Sequence, residues 1–113
     1  MKFHRNIYYY KSYFQDFYNK QHPDIQKKID WVIGLVRDLE VIPEKYFKHI
    51  EGSDGLYEIR VKVSRNLFRI FCFFDEGRLI IILHGFQKKS AKTPRKEIEK
   101  AKRLMEEYYN EKE

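Results

Sequence analysis

Between Tyr57 and Phe74 the chain places Glu58, Arg60 and Lys62 at every second position of one segment and Arg69 in the middle of the next. On extended strands such residues share a face. Guanidinium and ammonium groups held side by side suit phosphate, because an arginine fork binds two of its oxygens and fixed positive charge stabilises negative charge developing there. If Tyr57, Ile59 and Val61 share the buried face with Phe68, Ile70 and Cys72, the joining loop has an even number of residues. A two-residue loop at Ser64-Arg65 sets Arg60 across from Arg69; a longer, four-residue loop sets Lys62 there. Either register opposes like charges, which disfavours folding by roughly a few tenths of a kcal/mol or more unless an anion lies between them. Glu58 is a candidate for that anion, and a bound phosphate is another. Charged strand residues usually form an ordinary solvated face. Arg69, however, lies among Leu67, Phe71 and Phe73, and a cationic groove with aromatic walls suits single-stranded RNA.

Lys88, Lys89, Lys92, Arg95 and Lys96 form a second basic group without an acid among them, leading into a helix start at Thr93-Pro94. A helix N-terminus adds its own attraction for an anion, although a plain basic loop has the same composition. His84 ends an apolar run, where histidines are more often hydrogen-bonded core residues than catalysts. His4, His22 and His49 are scattered, and no pair has metal-ligand spacing. With no nucleotide-binding glycine loop, cysteine cluster or nucleophilic triad, neither metal nor cofactor is expected.

The elements that must carry these residues follow from periodicity. Phe3 to Tyr9 reads as a first strand, and Ser12 to Asn19 as a short helix with Tyr10, Phe14 and Phe17 on one side. Pro23 opens a second helix, with Ile25, Ile29, Val32, Val36 and Leu39 as its apolar stripe. Ile42 to Ile50 reads as an irregular connection, and Gly52-Ser53-Asp54-Gly55 as a turn. Three strands follow, over Tyr57 to Val63, Leu67 to Phe74 and Leu79 to Phe86. The last is central because Leu79 to Leu83 is apolar on both faces. A final helix after Thr93-Pro94 carries Ile98, Ala101, Met105 and Tyr108, and only Asn110 to Glu113 are expected to be disordered. The expected fold is α+β, order β-α-α-β-β-β-α: an antiparallel three-strand meander with the N-terminal strand added and the helices packed on one face.

A chain of 113 residues supports one domain, spanning 1–113. With 42% hydrophobic and 35% charged residues it can fill a core and keep an ionised surface. The net charge of +6 favours polyanions or an acidic partner. The single Cys72, inside an apolar run, fits a reducing compartment, so a cytoplasmic location is expected. No stretch approaches the roughly 18 apolar residues of a membrane helix, and Met1 to Tyr10 lacks an apolar signal core. Neither membrane insertion nor secretion is expected.

Over nearly its whole length the sequence also resembles the RelE/HigB toxin superfamily, most closely its phage-derived HigB-like branch. The likeness is carried by Tyr46-Phe47-Lys48, the run Gly52-Ser53-Asp54-Gly55-Leu56-Tyr57-Glu58-Ile59-Arg60-Val61, Phe68-Arg69-Ile70-Phe71, His84-Gly85-Phe86-Gln87-Lys88-Lys89, and Lys92-Thr93-Pro94 followed by Glu97-Ile98 and Ala101. The resemblance implies a metal-independent, ribosome-dependent endoribonuclease that cuts mRNA by attack of the ribose 2′-hydroxyl on the adjacent phosphate. It also implies a cognate antitoxin, HigA-like and of helix-turn-helix type. By position, the family's basic residues fall on Arg60, Lys62 and Arg69, with a further one on Lys88 or Lys89. Arg69 is expected to hold the phosphate with Arg60 in support, and Lys88, Lys89, Lys92, Arg95 and Phe71 to bind RNA. Some relatives use a tyrosine or histidine near the chain end for acid-base work, and Lys88 to Pro94 contains neither. Glu58, Tyr57, His84 or a lysine of depressed pKa is then the general base.

Two other classes use the same basic face: a non-catalytic module that blocks translation by occupying RNA or ribosome, and an interaction domain that meets only an acidic antitoxin segment. New RNA 5′-ends separate the enzyme from the first, and weak, salt-sensitive RNA binding marks the second.

Overall fold

Strand β4 (Asn66–Phe74) is apolar on both faces: Phe68, Ile70 and Cys72 point one way, Phe71 and Phe73 the other, all buried. A strand of that kind needs a layer on each side. The computed structural model, which describes residues 4–112, builds those layers around a five-stranded sheet of order β1-β5-β4-β3-β2. Here β1 is Asn6–Tyr9, β2 Phe47–His49, β3 Leu56–Val63 and β5 Leu79–Lys88. Strand β1 runs parallel to β5, and the other pairs are antiparallel. Phe3, at the expected start of the first strand, and Glu113 lie outside the described residues.

Helices α1 (Tyr13–Asn19) and α2 (Pro23–Asp38) cover one face. Phe14 and Phe17 of α1 and Ile29, Val32, Ile33 and Val36 of α2 pack with Ile59, Val61, Phe68, Ile70, Ile80 and Ile82. Each such side chain, fully buried, contributes about 1.5–3 kcal/mol. Pro23 begins α2 as expected, and His22 caps it by accepting the Asp24 N–H at 3.3 Å. Helix α1 lies against β5 so closely that a Cβ on Gly85 would stand 2.6 Å from the Phe17 ring.

The α+β class and the order of elements are as expected, with three differences. Helix α3 (Arg95–Lys112) does not join α1 and α2 but covers the opposite face, where Ala101 and Leu104 meet Leu56, Phe71, Phe73, Ile81 and Leu83. Those strand residues are as apolar as the ones on the first face, so one layer of helices leaves half of them wet. Strand β2 occupies part of the stretch read as irregular: Phe47, Lys48 and His49 pair with Ile59, Glu58 and Tyr57. Three residues are too few to show a period, and this strand exists because the edge of β3 offers it hydrogen bonds. The chain end is helical as far as Lys112, not disordered, because Lys112 pairs with the buried Asp75 at 2.8 Å and Glu111 accepts from the Tyr10 hydroxyl at 2.9 Å.

Candidate RNA-binding face

The β3–β4 hairpin closes with the two-residue loop Ser64-Arg65, Val63 facing Asn66, and so sets Arg60 directly across from Arg69. Strict alternation then puts Glu58, Arg60 and Lys62 on the face covered by α3, together with Arg69. Helix α3 shields the other end of this face, around Leu56, Phe73 and Ile81. Exposure records the gradient: the side chain of Arg69 is 5% exposed, that of Arg60 27%, and Lys62 lies in the open.

Glu58 answers the like-charge opposition. Its Oε1 lies 3.2 Å from Arg60 Nε and 3.5 Å from Arg69 Nε, while Oε2 accepts from the Thr93 hydroxyl at 3.5 Å. The alignment toward Arg69 is poor, so Arg69 Nε completes no hydrogen bond and the attraction is one of charge alone. Arg69 Nη1 donates to the Phe68 carbonyl at 3.2 Å. Burial lowers the pKa of Arg69, Glu58 opposes that, and Arg60 lowers it further. Lys88 of β5, paired with Leu67 of β4, feels the same group: burial lowers its pKa, Arg69 adds to this, Glu58 opposes it, and Arg60 lowers it again. Arg60, Arg69 and Lys88 thus share one carboxylate, and an anion brought here relieves their mutual repulsion.

Two hollows flank the group. One, of about 420 Å³, is bounded by Arg60, Lys62 and Arg69 and, across the edge of β3, by Lys28, Lys45 and Tyr46. The other, of about 530 Å³, is formed around Arg65, Lys88 and Lys89 and shares Leu67 with the first. Lys92 and Arg95 border neither. Lys92 is exposed, and Arg95, its side chain 92% exposed, pairs with Glu99 at 3.3 Å.

The remaining candidates are placed elsewhere. Phe71 is wholly buried under α3 and offers no ring to a base, because its strand position points it into the second core; the partly exposed aromatic beside Arg69 is Phe86, its partner across the ladder. Tyr57 projects from the other face, stacked on Phe47 at 4.8 Å with rings 8° from parallel. A bulge governs His84. Ile70 pairs with Gly85 and Cys72 with Ile82, so Leu83 and His84 together oppose Phe71 alone. The extra residue turns His84 toward α3, where its Nε2 meets Glu97 Oε1 at 3.1 Å and its ring stands edge-on to Phe71. His84 is 3% exposed; burial holds its pKa below the ordinary histidine value, the Glu97 hydrogen bond opposes this, and Lys100 and Arg103 reinforce it. Among the described residues no group of histidine, cysteine or carboxylate side chains could hold a metal ion. No helix among the described residues is long and apolar enough to cross a membrane.

A five-stranded mixed sheet between helices, with a cationic cluster at the open end of one face, is consistent with a RelE-like fold. The family model described as Phage derived protein Gp49-like (DUF891) matches residues 16–106, and the chain belongs to that family, a RelE-like toxin family. No curated protein matches the chain.

Lys28, Lys45 and Tyr46 carry no site signal in the sequence. Lys28 stands in a helix whose exposed side is generally charged, and Lys45 and Tyr46 precede a strand too short to recognise.

Proposed function

We propose that this protein is the HigB-like toxin of a toxin–antitoxin pair, an endoribonuclease that cuts mRNA on the ribosome and is held inactive by a cognate antitoxin. The observation that carries the reading is the directly opposed pair Arg60 and Arg69, with Glu58 as the carboxylate between them and Lys62 and Lys88 close by. Folding tolerates such an arrangement at some loss of stability, and a phosphodiester removes that loss on binding.

In the reaction the ribose 2′-oxygen attacks phosphorus, a bond from phosphorus to that oxygen forms, and the bond to the 5′-oxygen of the next nucleotide breaks. The products are a 2′,3′-cyclic phosphate and a 5′-hydroxyl. One proton leaves the 2′-hydroxyl and one arrives on the departing 5′-oxygen. Arg69 holds the phosphate, its guanidinium fixed by β4 and the Phe68 carbonyl, and Arg60 supports the charge that grows on the equatorial oxygens. Lys62 adds positive charge. Of the four base candidates, Glu58 and Lys88 belong to this group; Tyr57 lies on the opposite face and His84 is closed in by Glu97 and Phe71. Lys88 is the base we assign, because it borders the arginine pair and burial, Arg69 and Arg60 all lower its pKa, against Glu58 alone.

The test is a defined translation reaction, run with and without ribosomes, in which mRNA 5′-ends are mapped. Wild-type protein is expected to produce new 5′-hydroxyl ends only with ribosomes, and Arg69→Ala to lower their rate by about 10²–10³. Blocked translation without new ends points to an occupancy module, and cutting undiminished in Arg69→Ala removes the assignment of that residue.

A further inference from the structure

The edge of β3 is paired only along its first half. Phe47, Lys48 and His49 meet Ile59, Glu58 and Tyr57, the Arg60 N–H donates to the Tyr46 carbonyl at 2.8 Å, and there β2 leaves the sheet. Beyond that point β3 runs on through Lys62 to the hairpin tip, and the gap beside it is the cleft of about 420 Å³ bounded on its far side by Lys28, Lys45 and Tyr46. Every charged residue lining the cleft is a cation. Its outer wall continues into Trp31, which is 50% exposed although α2 has a complete apolar stripe without it. Trp31 stands edge-on to Tyr46 at 5.6 Å. In this state Lys28 lies over the Trp31 ring at 4.7 Å and Lys45 over the Tyr46 ring at 4.9 Å.

We infer that the cleft beyond the β3 edge is a second binding site for the RNA strand, Lys28 and Lys45 taking phosphates and Tyr46 and Trp31 stacking bases next to the phosphate held at Arg69, an inference that rests on the RNA-cleaving reading of the sheet face. Charge and aromaticity coincide here. A polyanion draws both lysines off the rings they cover, and the ring faces so uncovered are what unpaired bases stack on. An acidic peptide satisfies the lysines but has no use for the rings, and an RNA duplex keeps its bases stacked within itself. The cleft reaches the arginine pair itself, because Arg60 and Arg69 are among its lining residues. A strand lying in it continues into the reacting phosphate without crossing the sheet.

Trp31 is the single tryptophan of the chain and so reports directly on its own wall. A 2′-O-methyl oligoadenylate on the order of ten nucleotides long keeps bases and phosphates, cannot be cut by 2′-hydroxyl attack, and covers a site of this kind. Titrated into the full-length protein, it is expected to quench Trp31 emission. Substituting Lys28→Ala and Lys45→Ala together is expected to weaken binding at least tenfold and to reduce the slope of log K against log salt by about 1.4, two cations at about 0.7 each. Lys45 is exposed and Lys28 partly exposed, and circular dichroism checks the fold of the variant. Binding seen through a 5′-label with Trp31 emission and salt slope unchanged overturns the inference, as does equal quenching by polyglutamate or failure of the oligonucleotide to bind. Quenching and slope as expected, with no mRNA cleavage in the translation reaction, keep the cleft and remove the endonuclease. Cleavage that survives the double substitution with an unaltered slope keeps the endonuclease and removes the cleft.

Discussion

Lys88 and His84 both have lowered pKa values, and the two have different consequences. For Lys88 the cause is burial together with Arg69 and Arg60, with Glu58 opposing, so the amine loses its proton below the ordinary lysine value of 10.5. A base acts when deprotonated. The cleavage rate is therefore expected to rise with pH through a value below 10.5 and then level, and Lys88→Arg, which keeps the charge but cannot deprotonate, to abolish the rise. If Glu58→Gln abolishes it and Lys88→Arg does not, the base is Glu58. For His84 the cause is burial, opposed by its hydrogen bond to Glu97, and the readout is stability. Because the folded-state pKa lies below 6.5, the unfolded chain takes up the proton first as pH falls past that value, and the native state loses stability from there downward. Urea midpoints are expected to fall between roughly pH 7 and 5, and less steeply in His84→Gln.

At the scale of the element, the sheet is held between helices by a few close fits. Gly85 is one: with no room between its Cα and the Phe17 ring, Gly85→Ala pushes α1 away from β5. Overpacking of this kind costs about 1–3 kcal/mol, and the smaller side chain in Phe17→Leu is expected to recover part of it, so that the double variant is more stable in urea than the sum of the single changes. Asp75 is another. It is buried just beyond β4, accepts from the Tyr108 hydroxyl at 2.6 Å and from Lys112 at 2.8 Å, and so ties the last turns of α3 to the sheet. Lys112 first and Tyr108 second hold its carboxyl below the usual range, while burial and Asp75 push the Tyr108 hydroxyl up to about 12. This contribution is present above the ordinary carboxylate pKa and lost as pH falls through the lower folded value. At neutral pH Asp75→Asn is expected to cost about 1.5–3 kcal/mol and to speed amide exchange in the last turns of α3 first.

At the scale of the whole molecule, the legible and illegible parts divide by the range of the interactions that set them. Periodicity identified both N-terminal helices, the three long strands and α3, because each buries a stripe that repeats at its own period. It also placed Ile59 and Val61 with Phe68, Ile70 and Cys72, a consequence of alternation alone. The loop length was open between two even values, and the β3–β4 ladder settled it at two, setting Arg60 on Arg69. What lies across a strand edge was not legible: Lys28 comes to Arg60 from a helix, and Lys45 and Tyr46 from the turn before a three-residue strand, with no local pattern to announce the meeting. Phe71 reads as a groove aromatic because its neighbours are Arg69 and Phe73, yet it is core, since α3 lies on that face of the sheet. His84 shares that side with Phe71 only because a bulge shifts β5 by one residue. The sequence by itself determined which of the longer segments are helix or strand and which of their strand positions share a face, both fixed by covalent geometry and hydrophobic period. Only the tertiary structure decided which face α3 covers, and with it which cations remain open to a phosphate, because that depends on burying the apolar residues of both sheet faces at once.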